Sequence, residues 1–482
     1  MTHWLAADSP LNTLLTTVND WLWAYVLIGA LVACGCYFTW RTGFVQFRML
    51  PEMIRLLGDR PGKKGEKHRH ISSFQAFCVS VATRVGTGNL AGVATAIAVG
   101  GPGAVFWMWL IALIGGATAF VESTLAQLYK RRAGTAYIGG PAYYILYGLR
   151  RPWMATLFAV LMTATFGLSY NSVQSNTICS AMQQAFGWNH NVVGMALVVI
   201  AIVIAFGGIR RIAHVSSVIV PFMAIGYFLL SVVVIGMNIS RVPEVFSLII
   251  ENAFGFGQAA GGAIGVTIMQ GIKRGLFSNE AGEGSAPNAA ATATVTHPVK
   301  QGLIQSLGVF TDTLLVCSCT AFIILLSGLY NHPGLNGIVL TQSALNTHIG
   351  PVGTTFVAIA IFFFAFSSII GNCYYGESNI RFITDSKIAL NVFRVFSAGV
   401  MVMLGAVSSL EFVWNLGDLS MALITACNLV AIAQLSPKVF FLCKHYREQK
   451  RQGIKEPTFT ANEMPDLEPD SVQCWQDKTE TN

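Results

Sequence analysis

The 482-residue chain is poor in charged residues and rich in apolar ones, which excludes most soluble proteins. Asp, Glu, Lys and Arg make up only 11% of it, apolar residues make up 53%, and the mean hydropathy is +0.57. Soluble domains carry about 25% charged residues. The apolar residues also occur in runs long enough to cross about 30 Å of hydrocarbon. The composition therefore predicts an all-α polytopic membrane protein rather than a secreted scaffold, a disordered regulator or a cytosolic enzyme.

Eleven apolar runs are predicted to be transmembrane helices, and the basic residues between them predict their orientation. If the N-terminus is outside, eight Lys and Arg residues between Arg41 and Arg69 lie in the first inside loop, and Arg241 alone lies in an outside loop. Cytoplasmic loops collect Lys and Arg, so this asymmetry predicts an outside N-terminus and an inside C-terminus. The net charge of +7 has the same origin and gives no reason to expect nucleic-acid binding. The runs are 20–40, 72–99, 103–129, 153–184, 191–207, 213–237, 257–275, 302–329, 354–375, 391–409 and 413–435.

Polar stretches flank the predicted spans. Residues 44–57 read FVQFRMLPEMIRLL and are predicted to lie along the cytoplasmic face as an amphipathic helix. The tail after residue 444 is polar and carries three prolines, so a flexible cytoplasmic end is expected. The predicted organisation thus has an outside N-terminus at 1–19, an extra helix with the amphipathic segment at 20–71, and a tail at 444–482.

The second apolar run is predicted to be interrupted in mid-membrane. Residues 79–100 read VSVATRVGTGNLAGVATAIAVG, in which Gly86 and Gly88 flank Thr87. Glycine costs about 1 kcal/mol relative to alanine in a helix interior, so the pair favours an unwound turn. Such a turn releases N–H groups that suit a carboxylate and carbonyls that suit a cation. The alternative is close packing of small residues between helices, and the composition of the segment leaves both open.

A second interruption is expected five spans later. Residues 261–288 contain Gln270-Gly271 within an apolar stretch, followed by a polar return toward the cytoplasm. Two broken helices five spans apart are what an inverted repeat of five plus five helices produces. The two halves would be residues 72–237 and 257–435, with the first span as an additional N-terminal helix.

Motifs of enzymes and pumps are absent from the sequence. It contains no HExxH, GxSxG or GxxxxGK[ST], and its histidines lack metal-ligand spacing. The ten cysteines include no CxxC pair, and most lie in apolar runs as small hydrophobic residues. These features argue against an enzyme, a metal centre and an ATP-driven pump.

Three long motifs resemble the alanine or glycine:cation symporter family. They are VGTGNLAGVATAIAVGG, GGPGAVFWMW at 100–109 and KRGLFSNEAGEGSAPNAAA at 273–291, and the similarity extends from about residue 20 to 440. The resemblance implies a fold of the leucine-transporter (LeuT) type and symport of small neutral amino acids with sodium, sometimes with protons. It also implies a place in the cell (inner) membrane.

Carried onto the matching positions, the resemblance implies a midplane amino-acid site. The unwound turn would receive the substrate carboxylate, the second broken helix would form the facing wall, and Gln174 of the fourth span would face the cavity. The alternative for Gln174 is a hydrogen bond between helices, worth about 0.6–2 kcal/mol. The implied substrate-binding residues are Gly86, Thr87, Gly88, Asn89, Gln174, Met269, Gln270, Gly271 and Asn372.

The resemblance also implies a sodium site built from neutral oxygens. Carbonyls at the end of one half-helix would be joined by two adjacent hydroxyls and a carbonyl of the ninth span. Without the resemblance, the two hydroxyls are explained by hydrogen bonds to their own preceding turn. The sixth span has no lysine to replace a sodium ion, so sodium is favoured and proton coupling is the alternative. The implied ligands are Ala82, Val85, Phe364, Ser367 and Ser368.

One position departs from the family pattern. After the SSIIG segment at 367–371, relatives often carry a tryptophan that closes the pocket, whereas this chain has Asn372. A smaller, polar residue enlarges the pocket and places an amide against the substrate side chain. The substitution predicts that a larger polar amino acid such as glutamine is accepted beside alanine and glycine.

Charged residues within the apolar runs are costly and therefore informative. Glu122 and Glu377 are predicted to be interfacial or paired, since Arg381 follows Glu377 at i+4. Arg84 directly precedes the predicted unwound turn. It is predicted to pair with Asp312 and to gate the inner side.

Overall fold

The computed structural model is almost entirely helical, as the composition predicts. In the described part of the chain the only strands are β1 (Arg131–Ala133) and β2 (Ala136–Ile138), which form a short antiparallel hairpin. The structure describes residues 6, 8–59, 71–134, 136–206, 209–255, 261–465, 467–468 and 471–476.

The helices follow one another with short connections. The first half of the chain contains α1 (Pro10–Arg41), α2 (Val45–Arg48), α3 (Leu50–Leu57), α4 (Ser73–Arg84), α5 (Gly88–Gly100), α6 (Ala104–Leu128), α7 (Pro141–Tyr144), α8 (Pro152–Phe186), α9 (His190–Ala205) and α10 (Ile209–Met237). The second half contains α11 (Val242–Ala253), α12 (Gly261–Asn279), α13 (Ala286–Ala290), α14 (Val299–Ser327), α15 (Gly337–Ile349), α16 (Pro351–Ile383), α17 (Lys387–Val407) and α18 (Leu410–Arg451).

Seven of these helices are long and apolar enough to cross a membrane, namely α1, α6, α8, α14, α16, α17 and α18. An eighth candidate is a pair of helices, Phe222–Met237 with Ile239–Ala253, that bends through 80°. All eleven predicted runs fall on helices, although residues 207 and 257–260 of two runs lie outside the described residues. The chain is therefore an all-α, multi-pass membrane protein.

Side-chain caps explain where several helices begin. At α4 the backbone N–H of Gln75 donates to the Ser72 hydroxyl at 3.1 Å, and the N–H of Ser72 donates to the Gln75 side chain at 3.0 Å. This reciprocal capping box satisfies two backbone donors that the helix itself leaves free. Ser409 caps α18 in a similar way, since its hydroxyl accepts from the N–H of Phe412 at 3.3 Å.

Helix α6 lies at the centre of one packed group and contacts α12, α14 and α1. The approach of α14 is so close that a Cβ on Gly302 would lie 2.1 Å from the Thr124 hydroxyl and 2.7 Å from the Phe120 carbonyl. Only glycine permits this separation. A second group packs α16 against α8, α15 and α4, and the broken helices of the two groups meet between them.

The predicted interruption of the second span is confirmed. Helix α4 ends at Arg84, Val85 is extended with φ −72° and ψ 97°, and the chain becomes helical again just before Gly88. The new helix opens with a π-helical turn, Gly88–Gly92, before continuing to Gly100. The two glycines and the polar residues between them therefore mark a true break.

The second predicted interruption, at Gln270-Gly271, is wrong. Helix α12 is continuous through these residues to Asn279, and the break follows it. There, Glu280, Gly282 and Gly284 have φ values of +55°, +101° and +84°, so the chain cannot continue as a right-handed helix until α13. The polar pair at 270–271 instead serves helix packing.

The expectation of a flexible tail is also wrong for the described residues. Helix α18 continues to Arg451, and the chain beyond it folds back with Phe459 and Trp475 buried. The Trp475 indole N–H donates to the carbonyl of Gln127 at the end of α6 at 2.9 Å. A few apolar anchors within a polar stretch suffice to hold it, which composition does not reveal.

The amphipathic segment is helical as predicted, in the form of α2 and α3, with Met53 and Leu56 buried. Ionic contacts join it to the end of α18. Although burial acts to raise the pKa of Glu52, hydrogen bonds from Arg55, Tyr446 and Lys450 lower that pKa to about 2. The segment and the tail thus form one ordered layer at this end of the molecule.

Candidate functional site

The break between α4 and α5 exposes two backbone donors that side chains of the protein satisfy. The N–H of Gly86 donates to Asn89 Oδ1 at 2.9 Å, and the N–H of Thr87 donates to Gln174 Oε1 at 3.1 Å. Helical hydrogen bonding stops one residue earlier, where the N–H of Val85 donates to the carbonyl of Val81. The turn therefore presents two adjacent N–H groups, one bonded to α5 and the other to α8.

Gly86 lies at the narrowest point of this arrangement. A Cβ at this position would be 2.5 Å from the Ser368 hydroxyl of α16 and 3.1 Å from Gln174 Oε1 of α8. Glycine is thus the residue that allows α8 and α16 to meet at the unwound turn. The structure brings together four residues that the sequence singled out, Gly86, Thr87, Gln174 and Ser368.

Four of the five predicted cation ligands contribute to one cluster of oxygens. The Ser367 hydroxyl donates to the carbonyls of Ala82 at 3.3 Å and Phe364 at 2.8 Å, and the Ser368 hydroxyl donates to the same two carbonyls at 3.1 Å each. Val85, the fifth, is the residue at which α4 ends. Both serines are buried.

The chemistry of this oxygen cluster suits a monovalent cation. All four oxygens are neutral, whereas sites for Ca²⁺ or Mg²⁺ draw on carboxylates. In the described part of the chain no three His, Cys, Asp or Glu side chains are grouped so that they could hold a metal ion. The hydroxyls also bond back to the preceding turn of α16, so the helix-internal bonding expected of serines holds alongside their contact with α4.

A buried carboxylate, Asp312, supports the unwound turn from α14. Asn89 Nδ2 donates to Asp312 Oδ1 at 2.7 Å, and the Ser278 hydroxyl donates to Asp312 Oδ2 at 2.6 Å. Asn89 also donates to the Ser278 hydroxyl at 3.0 Å. The carboxylate therefore fixes the amide whose oxygen accepts from Gly86, so that α4, α5, α12 and α14 are joined through one network.

The predicted pairing of Arg84 with Asp312 is wrong. Arg84 Nη1 donates to the carbonyl of Gln305 at 3.3 Å, and its Nε and Nη2 atoms have no partner among the described residues. Asp312 is instead satisfied by neutral donors, Asn89, Ser278 and Thr313. Sequence reasoning does not place Asp312 at the unwound turn because its partners Asn89 and Ser278 come from two distant segments. The polar Asn89 within the break is the available signal.

Met269, Gln270 and Gly271 do not share the unwound turn. A Cβ on Gly100 would lie 2.9 Å from Gln270 Cβ, and a Cβ on Gly271 would lie 2.5 Å from the carbonyl of Ala104. Gln270 and Gly271 face the C-terminal end of α5 and the start of α6, at least six residues, or about 9 Å of helix, before the part of α12 that faces the break. Their small or unbranched side chains permit close packing there.

The part of α12 that faces the break is Phe277-Ser278. A Cβ on Gly88 would lie 3.2 Å from Phe277 Cδ1 and 2.9 Å from the Cα of Ser278. The Phe277 ring is 4.7 Å from the rings of both Tyr170 and Trp414. Sequence reasoning missed this aromatic wall, although Phe277 and Ser278 belong to the KRGLFSNEAGEG motif.

Asn372 lies one turn after Ser368 on α16. Its Nδ2 atom donates to Asn171 Oδ1 at 3.2 Å, and Asn171 lies one turn before Gln174 on α8. The Asn372 Oδ1 atom is buried and has no partner among the described residues. A buried carbonyl oxygen without a donor is costly, and an amide or ammonium group of a ligand could satisfy it.

Glu122 holds the second break through neutral donors and, among the described residues, is neither interfacial nor paired with a cation, contrary to the prediction. Its carboxylate accepts from the N–H groups of Gly282 at 3.3 Å and Gly284 at 3.2 Å, and from Asn428 Nδ2 at 2.8 Å. It is completely buried. Glu377, by contrast, is paired as predicted, since Arg381 Nη2 lies 2.8 Å from its carboxylate.

Two broken helices that meet at a buried polar centre are typical of secondary membrane transporters. Comparison with known proteins identifies the family within that class. The chain belongs to the sodium:alanine symporter family, whose model matches residues 8–461. It is a transporter of amino acids rather than an enzyme, which confirms both expectations from sequence.

The chain is similar to named carriers over almost its whole length. It is 50% identical to the "Probable sodium/glutamine symporter GlnT" of Bacillus subtilis, covering 96% of each chain. It is also 50% identical to the amino-acid carrier protein AlsT of the same organism, covering 98% of this chain and 99% of the relative. The sodium/proton-dependent alanine carrier protein of Bacillus sp. strain PS3 is 37% identical over 85% of this chain and 94% of the relative.

Proposed function

We propose that the protein is a sodium-coupled symporter of small neutral amino acids that works by alternating access. The observation that carries the proposal is the position of Gly86. Because glycine has no side chain, the Ser368 hydroxyl and Gln174 Oε1 can both approach its Cα. Ser368 belongs to the neutral oxygen cluster, and Gln174 accepts from the unwound turn. One residue therefore links a cation site with an amino-acid site.

Sodium is the ion that the oxygen cluster fits best. The proposed ligands are the carbonyls of Ala82, Val85 and Phe364 and the hydroxyls of Ser367 and Ser368. A bound sodium ion would fix the end of α4 to α16. Because the free N–H groups begin directly after that end, ion binding orders the turn that receives the substrate, and this is the proposed basis of coupling.

The amino acid binds at the unwound turn. Its carboxylate accepts from the N–H groups of Gly86 and Thr87, in place of the side-chain oxygens of Asn89 and Gln174 that accept from them here. The N–H groups at a helix start and the helix dipole both favour a carboxylate. Gly88 lets the aromatic wall of Phe277, Tyr170 and Trp414 lie directly against the turn, where it contacts the side chain of the bound amino acid.

The proposed architecture is the LeuT-type fold with eleven spans. Residues 72–237 and 257–435 form its two inverted halves, each with one broken helix, and α1 is the additional span. The proposed location is the cell (inner) membrane. In the proposed orientation the N-terminus is outside and the C-terminus is in the cytoplasm. Rocking of one helix group against the other then exposes the site to each side in turn.

Uptake of labelled alanine, glycine and glutamine into proteoliposomes tests the proposal. An inward sodium gradient is expected to drive accumulation, and replacement of sodium by potassium is expected to abolish it. The double variant Ser367→Ala/Ser368→Ala should lose sodium dependence, because two of five ligands are removed. Ser436→Ala is the matched control, since the one partner of this buried hydroxyl among the described residues is a carbonyl in the preceding turn of α18, at 2.8 Å. Equal accumulation of the amino acid by the wild type with and without a sodium gradient would refute sodium coupling.

Proton coupling is the second candidate, and it is favoured by the similarity to the sodium/proton-dependent carrier of Bacillus sp. strain PS3. The same proteoliposomes separate the two ions. Uptake driven by an inward proton gradient in the complete absence of sodium would establish the alternative.

Asn372 is proposed to extend the substrate range to glutamine, because its unpartnered Oδ1 atom can accept from the glutamine amide. Asn372→Ala is expected to lower glutamine uptake about 5- to 10-fold, the worth of one buried hydrogen bond, and to affect alanine uptake far less. Asn372→Trp should exclude glutamine by volume and retain alanine. The measurement is competition by unlabelled glutamine for labelled alanine uptake. Equal competition in the wild type and both variants would contradict this role.

A further inference from the structure

A groove of about 590 Å³ lies where α1 ends and the last turns of α18 pass beside it. We call it the basic groove. Its lining includes four cations, Arg41, Lys444, Arg447 and Arg451, and the aromatic residues Trp40 and Phe440. Glu448 is the only acidic residue in the lining. The groove shares no lining residue with the unwound turn, and the proposed transport function does not use it.

The four cations of the groove are not neutralised by any acidic side chain among the described residues. None of them forms an ion pair within the part of the chain that the structure describes. Arg41 lies 5.0 Å from the Phe440 ring centroid, and Arg447 Nη1 donates to the carbonyl of Thr42 at 3.3 Å. These contacts orient the guanidinium groups without cancelling their charge.

A tight turn after α1 brings a fifth cation close to the groove. Gly43 and Phe44 both have left-handed conformations, with φ values of +65° and +59°. The position of a Cβ on Gly43 would be 3.0 Å from Arg447 Nη1 and 3.9 Å from Arg48 Nη1. Two guanidinium groups therefore converge over the same glycine. Like charges held this close favour a bound anion between them.

The surroundings of the groove indicate that the anion belongs to a lipid. Trp40 is 70% exposed and Phe44 is 50% exposed, at the end of an apolar helix long enough to cross the membrane. Exposed tryptophan next to arginine at the end of a span is typical of the membrane interface. A soluble phosphate compound would gain nothing from these apolar surfaces, whereas acyl chains can lie along α1.

We propose that the basic groove binds the phosphate headgroup of an anionic phospholipid. The phosphate lies over Arg41, Arg48 and Arg447, and the flexible cations Lys444 and Arg451 add to the local positive potential. Basic pockets between transmembrane helices are suited to anionic headgroups in this way. The bound lipid joins α1 to α18 at this end of the protein.

The test is binding of phosphatidylglycerol to the purified full-length protein in neutral detergent, with phosphatidylcholine as the reference lipid. Arg41→Gln/Arg447→Gln is expected to weaken phosphatidylglycerol binding about 30-fold, the equivalent of ~1 kcal/mol for each charge near a headgroup. Lys444→Gln/Arg451→Gln is expected to weaken it in the same direction, and both of these side chains are exposed, so the fold is not at risk. Lys387→Gln is the matched control, an exposed cation at the start of α17 outside the groove. Thermal melting of each variant reports on folding.

Three results would overturn the proposal. Equal affinity of the wild type for phosphatidylglycerol and phosphatidylcholine would remove the charge argument. Full displacement of the lipid by millimolar inorganic phosphate would assign the groove to a soluble anion. Lipid-independent dimerisation that is lost in both groove variants would assign it to a second copy of the chain.

Discussion

Gly86→Ala is expected to reduce sodium-driven amino-acid uptake by about 100-fold. The added Cβ would lie 2.5 Å from the Ser368 hydroxyl and 3.1 Å from Gln174 Oε1, closer than van der Waals contact allows. Because α4, α8 and α16 meet at this point, none can withdraw without moving a proposed ligand. Overpacking of a closed site costs about 1–3 kcal/mol, and displacement of Ser368 adds the loss of a cation ligand. Uptake at saturating and limiting sodium measures the effect.

Gly92→Ala is the matched control for this substitution. It lies in the π-helical turn that opens α5, and its Cβ would meet Trp414 at 3.6 Å and the carbonyl of Thr87 at 3.7 Å, which is ordinary contact. Its uptake is expected to stay within about 3-fold of the wild type, since no atom must move. If Gly86→Ala transports like Gly92→Ala with unchanged sodium activation, then the two proposed sites do not meet at Gly86.

The first break was predictable because its signal is local. Two glycines around a polar residue weaken an apolar helix at that point, and the same segment supplies both the turn and the Asn89 side chain that satisfies Gly86. The oxygen cluster was found by the resemblance alone. Adjacent serines carry no signal of their own, since hydroxyls in helices commonly bond to the preceding turn, as these also do.

The predicted position of the second break is wrong because a polar residue beside glycine occurs in membrane helices both at breaks and at sites of close helix packing. At Gln270-Gly271 the small residue lets α6 approach, with the Ala104 carbonyl 2.5 Å from where a Cβ would be. The true break depends on Glu122, which accepts from the N–H groups of Gly282 and Gly284 although it lies some 160 residues earlier in the chain. A buried carboxylate that stabilises a distant turn cannot be assigned from spacing.

Contacts between residues that are distant in sequence also explain why the predicted pairing of Asp312 with Arg84 is wrong. Arg84 is close to the break in sequence, so charge pairing with a buried acid was the simplest way to satisfy both. The structure satisfies the acid with neutral donors, Ser278 and Asn89, and leaves two guanidinium nitrogens of Arg84 without partners among the described residues. Neutral polar residues in the broken helices therefore satisfy the buried carboxylate that sequence reasoning pairs with a cation.

Asp312→Ala is expected to raise the KM for the amino acid about 10- to 100-fold. The carboxylate holds Asn89 Nδ2 at 2.7 Å and the Ser278 hydroxyl at 2.6 Å, and both donors become unpaired when it is removed. Loss of one partner of a buried, charged hydrogen bond costs about 1–3 kcal/mol. Asn89 and the unwound turn that contains it then lose their fixed position, so the N–H groups that receive the substrate carboxylate are less well placed. Initial rates of uptake over a range of substrate concentrations at saturating sodium separate KM from the maximal rate.

Asp312→Asn distinguishes a positioning role from a general loss of structure. Its side chain keeps the shape and one acceptor oxygen, so it can accept from Asn89 but must turn an N–H toward Ser278, and a KM between those of the wild type and Asp312→Ala is expected. Thr311→Val is the matched control on the same helix, because within the part of the chain that the structure describes the Thr311 hydroxyl bonds to the carbonyl of Leu307 alone, at 3.0 Å. An unchanged amino-acid KM in Asp312→Ala, with normal thermal melting, would mean that Asn89 holds the unwound turn without the carboxylate.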